Sequence, residues 1–307
     1  MDSRIRGTDE LKWEPAGCWA RGTRAESGTP APPYANANSN SNSNAIAIAI
    51  ANAIMQYSSP QPEAPPMTQH ELDYQSPAVT QARTDLALAL RAAAHHGLSE
   101  GICNHFSVEL ADGSGRFLLN PQGLLWQEVQ ADDIVLIDVL GQRLAGRHPV
   151  ESTAMHIHSA IHRLAGKACV LHTHMPYATA LTLTQDRALD TTLSQNAMRF
   201  HGRVAADPHY NGLALDAGEG ERIAMAMHGA DVAFLGNHGV VVCGRQIAHA
   251  YDDLYFLERA CMMQVLAQST GRPLAPCDPA LAARVGGQAE SERQQSELFF
   301  EALRRTL

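Results

Sequence analysis

The chain has 307 residues, 45% of them hydrophobic and 18% charged, enough apolar material for a sizeable core over part of its length. A formal net charge of -9 leaves no basic face, which argues against nucleic acid and anionic membrane as partners. No run approaches the about 18 to 20 apolar residues that cross a bilayer. Six cysteines (Cys18, Cys103, Cys169, Cys243, Cys261, Cys277) form no CxxC pair, and several lie in apolar runs. They read as buried free thiols of a reducing, cytoplasmic compartment, not as a disulfide framework.

Residues 1–75 read as a disordered low-complexity extension. Ala35–Asn44 is an Asn/Ser/Ala tract, residues 45–50 alternate Ala and Ile, and Pro60–Pro66 is proline-rich. Without a periodic apolar pattern such a stretch cannot offset the entropy of ordering. Its first 25 residues carry charge throughout and do not read as a signal peptide. Met67 is a candidate start of translation.

The folded part is expected from about Pro77. Leu86, Leu90 and Ala94 recur at helical spacing and predict an amphipathic helix over 79–96 that stops at Gly97. Short strands follow over 103–110, 116–120 and 133–139, with a turn at Asp112–Gly115 and a return past Gly141 through 143–145. Further helices are predicted over 153–164, 176–183, 219–228 and 246–269. The last carries Ile247, Tyr251, Leu254, Cys261 and Val265 near one stripe. A charged tail helix over 288–305 closes the chain. Strands and helices alternate irregularly and the early strands crowd together. The pattern therefore predicts one α/β domain with a mixed, largely antiparallel sheet covered by helices, not a doubly wound parallel sheet.

The chemistry concentrates on histidines. In Lys167–His174 an apolar strand runs into His172 and His174, which period-2 alternation places on one face with Thr173 on the other. A second apolar strand in Val232–Val242 breaks at Asn237-His238-Gly239, where glycine permits a tight turn. His172, His174 and His238 are thus a candidate three-imidazole site for Zn2+ or another divalent metal, with a position left open as catalytic sites require. His158 and His162 lie one helical turn apart, but no Glu follows the first as in a zincin helix. His156 and His162 read as histidines of a half-buried helix, and His158 as a site-wall residue. Two small-residue turns, Gly101–Ser107 and Asn120–Gly123, can offer backbone N–H groups to an anion. Ser152 and Thr153 are N-cap candidates whose hydroxyls can also face a phosphate.

Five blocks now stand in order: Cys103-Asn104-His105-Phe106-Ser107-Val108, Phe117-Leu118-Leu119-Asn120-Pro121-Gln122-Gly123, His158-Ser159-Ala160-Ile161-His162, His172-Thr173-His174 and Asn237-His238-Gly239. Together they resemble the class II aldolase/adducin family, head-domain type, over about two thirds of the chain. The resemblance implies a domain over 76–270 with a helical tail over 271–307, and a three-layer α/β/α sandwich. It also implies a cyclic homotetramer with sites between subunits, and a divalent metal on His172, His174 and His238. Family enzymes cleave sugar phosphates by retro-aldol chemistry, while relatives epimerise, dehydrate or decarboxylate related compounds.

Two departures stand out. The position of the aldolases' catalytic Glu holds Ala154, beside the matching hydroxyls Ser152 and Thr153, and Glu151 lies three residues earlier. Asn104-His105 replaces the Gly-Asn of the aldolase phosphate loop. The expected activity is a metal-dependent lyase acting on a small hydroxy-carbonyl compound through a metal-stabilised enediolate. Glu151, His105 and Tyr210 are candidate proton shuttles; Asn104, Gln122, Gly123, Ser152, Thr153 and His158 are candidate substrate contacts. The alternatives are a non-catalytic adducin-like scaffold, and an epimerase or decarboxylase using the same metal.

Overall fold

The computed structural model describes residues 67–307. Eight strands form one sheet: β1 (His105–Glu109), β2 (Phe117–Leu119), β3 (Val135–Ile137), β4 (Arg143–Ala145), β5 (Cys169–Thr173), β6 (Val204–Asp207), β7 (Val232–Leu235) and β8 (Gly239–Gly244). Their order is β4-β3-β2-β1-β5-β8-β7-β6, and every neighbouring pair is antiparallel except β6–β7. The helices are α1 (Gln69–Tyr74), α2 (Pro77–His95), α3 (Ser152–Ala165), α4 (Pro176–Thr182), α5 (Gln195–Met198), α6 (Ala217–Ala226), α7 (Ile247–Ser269), α8 (Pro279–Ser291) and α9 (Gln294–Thr306).

Both faces of the sheet are covered, which is why Cys169–Leu171 of β5 and Val240–Cys243 of β8 read as unbroken apolar runs instead of alternating ones. On one face Phe106, Leu171, Val240 and Val242 pack with Leu86 and Leu90 of α2 and Leu254 of α7. On the other, Val170 and Val241 pack with Ile157 and Ile161 of α3 and Ile223 of α6. The result is the three-layer α/β/α arrangement. Val240, Val241 and Val242 are fully buried, each contributing about 1.5–3 kcal/mol of apolar transfer. The strand behind the histidines is thus also a main source of stability.

Two expectations need correction. The extension was to reach residue 75, but α1 already forms at Gln69, capped by a reciprocal Thr68–Glu71 box. Tyr74 is buried and its hydroxyl donates to the Ile134 carbonyl at 2.5 Å. The single tail helix is two helices, broken at Glu292-Arg293. Phe300 and Leu303 of α9 join the main core. The Asn/Ser and Ala/Ile tracts and Met1–Pro66 lie outside the described residues. Among the described residues no helix is long and apolar enough to cross a membrane. Cys169, Cys243 and Cys261 are buried free thiols, while Cys103 is exposed.

Candidate metal centre

The site sits where β5 and the β7–β8 hairpin end together. All five β5 residues are buried, and His172 lies opposite His105 of β1 in the antiparallel register. Because alternate residues share a face, His105, Ser107 and His172 all point toward α3. His238 is carried by the turn Gly236-Asn237-His238 between β7 and β8. Asn237 has φ +57, a conformation that costs an L residue energy, and the Arg187 guanidinium donates to its side-chain oxygen at 2.8 Å. Gly239 lets the hairpin close against β5: a Cβ there would stand 2.6 Å from the Thr173 carbonyl and 2.7 Å from the His174 ring.

The three imidazoles converge as the spacing predicts. One ring nitrogen from each of His172, His174 and His238 lies within 4.8 Å of the others. Zinc–nitrogen bonds of about 2.0–2.1 Å in a tetrahedron require closer nitrogens, a side-chain shift of roughly an ångström.

The tautomers fit a metal. His172 Nδ1 lies 3.0 Å from the Val240 carbonyl, which only accepts, so Nδ1 carries the proton and Nε2 the lone pair. His174 Nδ1 donates to the Glu100 carboxylate at 2.5 Å, leaving Nε2 buried without a partner among the described residues. Burial holds His172 well below the ordinary imidazole range, and burial together with His174 brings His238 down to about 4. Neutral imidazoles with their second nitrogen tied to a carbonyl or carboxylate are the form in which metals are bound.

Around the trio, His105 stacks on His172 with ring centres 5.3 Å apart and donates through Nε2 to Glu151 at 3.1 Å. Thr153 donates to the other Glu151 oxygen at 2.8 Å. The hydrogen bond from His105 holds the Glu151 carboxyl below its usual range, so it is ionised at neutral pH. Glu151 thus reaches the centre through His105, from a position ahead of α3. Ala154, where the family carboxylate was expected, packs against Phe117 and Leu119 instead. Asn104, at φ +74, accepts the His174 backbone N–H on its side-chain oxygen at 3.3 Å, and its buried Nδ2 has no partner among the described residues.

The remaining candidates are more peripheral. Tyr210 is half exposed, its ring 6.0 Å from that of His238. Gln122 and Gly123 form an exposed turn held by the Gln122 N–H on the Pro149 carbonyl, with no hydrogen bond to the trio. Ser152 and Thr153 are not caps: the N-cap is Glu151, whose side chain makes no capping bond, and Ser152 is the first, exposed helical residue. His158 is fully buried in the wall beside His105, and His156 is half-buried. Sequence reasoning missed Glu100, Arg187 and Ser107. Each acts through a hydrogen bond to a residue far along the chain, which no local spacing announces.

Comparison with known proteins agrees with this architecture. A Pseudomonas aeruginosa protein provisionally named an aldolase class 2 protein is 34% identical over 201 residues, 65% of this chain and 76% of that protein. The solved structure of an aldolase II superfamily protein from Pseudomonas syringae superposes with a TM-score of 0.70 at 33% identity, covering 77% of this chain and 95% of that one. The decarboxylase NovR of Streptomyces niveus is 27% identical over 190 residues, 61% of this chain and 70% of its own. Residues 84–265 match the profile described as Class II Aldolase and Adducin N-terminal domain, which spans the sheet and the three converging histidines. With fold, site and profile in agreement, the chain belongs to the class II aldolase and adducin family.

Proposed function

We propose that this protein is a metal-dependent lyase that cleaves or rearranges a small, sugar-like hydroxy-carbonyl compound. The observation that carries this reading is the convergence of His172, His174 and His238, two of them with Nε2 freed by a hydrogen bond at Nδ1. A scaffold has no use for three imidazoles prepared in this way. Zinc or another divalent metal held by these residues supplies Lewis-acid stabilisation of negative charge on a chelated oxygen, worth several kcal/mol.

The chain's own groups do the rest. Glu151 is an ionised acceptor and His105 a donor on its way to the trio, so this pair moves the proton that retro-aldol cleavage or enolisation requires. Asn104 Nδ2 is a buried donor beside His174, placed to bind a substrate oxygen. Tyr210 stands at the rim, where a phenol can serve a leaving group. Ser152 and Thr153, next to Glu151 at the start of α3, are assigned to a phosphate or hydroxyl of the substrate, and buried His158 to the wall. Gln122 and Gly123, in the exposed turn held on Pro149, are assigned to substrate contact. The same centre serves decarboxylation or epimerisation, differing in which bond to the carbon next to the carbonyl is broken. The buried thiols favour a reducing cytoplasm, and the family favours a homotetramer with no nucleic-acid or membrane partner.

One observation favours a second reading, a non-catalytic adducin-like scaffold: Ala154 replaces the family carboxylate. Metal analysis of purified protein separates the two. Stoichiometric metal that disappears in His172→Ala, with turnover in a screen of hydroxy-aldehydes, keto acids and their phosphates, supports the lyase. Folded wild-type protein that takes up no divalent metal rejects it in favour of the scaffold.

A further inference from the structure

Behind the site runs a buried chain of groups that neither the metal nor the proposed proton transfer uses. The Lys167 carbonyl lies 2.6 Å from His162 Nδ1, His162 Nε2 lies 2.7 Å from Ser107 Oγ, and Ser107 Oγ lies 2.5 Å from His158 Nδ1. Ser107, His158 and His162 are all at most 4% exposed, so water does not compete for these bonds.

The direction of the chain follows from its end. A carbonyl only accepts, so His162 carries its proton on Nδ1. Its ring is neutral at physiological pH, since burial lowers it to about 4, and Nε2 therefore offers a lone pair. The single hydroxyl proton of Ser107 goes to that lone pair, and Ser107 Oγ can then only accept from His158 Nδ1–H. His158 Nε2 is left as a buried lone pair without a partner among the described residues, on a ring that packs edge-on against His105 at 5.5 Å.

We infer that Ser107 and His162 are positioning residues of this site: they form a one-way hydrogen-bond chain that locks His158 in its Nδ1–H tautomer and so leaves a buried lone pair on its Nε2, in the ring packed beside His105. The opposite tautomer would leave a buried N–H at Nε2 with no acceptor among the described residues. Glu151 holds His105 through Nε2, while His158 packs against the same ring without a hydrogen bond to it. The chain is a property of the fold; its bearing on catalysis rests on the lyase reading above.

The test is nitrogen-15 NMR of the histidine rings in full-length protein, which distinguishes a protonated ring nitrogen from one with a lone pair without any assay of turnover. At neutral pH, His158 and His162 are expected to show protonated Nδ1 and unprotonated Nε2. His158 protonated at Nε2 overturns the inference, and this wild-type measurement decides even if a variant fails to fold. In Ser107→Ala, which removes the acceptor, His158 is expected to populate the Nε2–H form, and Ser107→Thr is expected to restore Nδ1–H. A folded Ser107→Ala protein with an unchanged His158 tautomer also overturns it. Metal content of the same samples is a separate reading: lack of metal in wild type counts against the lyase, not against the tautomer lock.

Discussion

His174 is held from behind by Glu100, whose carboxylate accepts a hydrogen bond from Nδ1–H and keeps Nε2 ready for a cation. Partners of this kind typically tune metal affinity by about 10–100-fold. Glu100→Ala is therefore expected to weaken metal binding by about that factor, read by titration against a competing chelator. Glu100 is 60% exposed at its side chain, so the thermal midpoint of the metal-free protein should barely move. An unchanged metal affinity would separate Glu100 from the centre. At Gly239 the constraint is steric. A methyl group must displace the Thr173 backbone, which cannot yield as a flexible side chain would. Gly239→Ala is expected to cost roughly 1–3 kcal/mol, the range for overpacking, seen as a lower denaturant midpoint. The same substitution should also loosen the metal, because the displaced strand end carries His174.

At the scale of elements, the entries to β5 and β7 are joined by charge. Lys167 donates to Asp231 at 2.8 Å and Arg203 donates to its other oxygen at 2.9 Å. Burial raises the Asp231 carboxyl, but the hydrogen bonds from Lys167 and Arg203 outweigh it and hold the folded value below the ordinary range. A carboxyl depressed in the folded state stabilises above its unfolded pKa of about 3.9 and loses that contribution as pH falls through the folded value. Unfolding free energy should thus decline on acidification below about pH 4, and Asp231→Asn should flatten that decline. A slope identical in wild type and variant would remove Asp231 from the acid response.

The elements also show what a sequence discloses. Helices α2, α3 and α7 were legible because an apolar stripe repeats along them, β5 because an apolar run leads into its histidine, and β8 because it carries no charged or strongly polar side chain. The edge strand β6 was not: Val204-Ala205-Ala206-Asp207 is short, does not alternate, and is defined only by its parallel pairing with β7. The α8–α9 break was hidden too, because Arg293 marks it through ion pairs with Asp253 of α7 instead of a Pro or Gly. At the site, the trio was readable since two of its members share a strand period. Ser107, Glu100 and the approach of Glu151 were not, since each depends on which elements lie side by side.

At the scale of the whole molecule, the segment after β6 leaves apolar side chains in water beside the candidate centre. Leu213 is 68% and Leu215 61% exposed, a few residues along the chain from Tyr210, whose ring lies 6.0 Å from that of His238. Isolated exposed leucines need no explanation, but two within three residues at the rim of a site are what a partner surface offers. Light scattering on a sizing column is expected to give a homo-oligomer, and Leu213→Glu with Leu215→Glu is expected to shift it toward monomer. A wild-type monomer would leave the rim to be explained by substrate alone.

The pairing of His172 with Val241 across β5 and β8 carries one more consequence. Slipping β5 along β8 by a single residue would turn His172 into the opposite core and bring an apolar neighbour or Thr173 to the centre. A misaligned sheet would therefore be chemically blind even if compact. Uptake of a cation then reports on correct zippering of the sheet's middle, and a refolding experiment followed by metal capture would time that event directly.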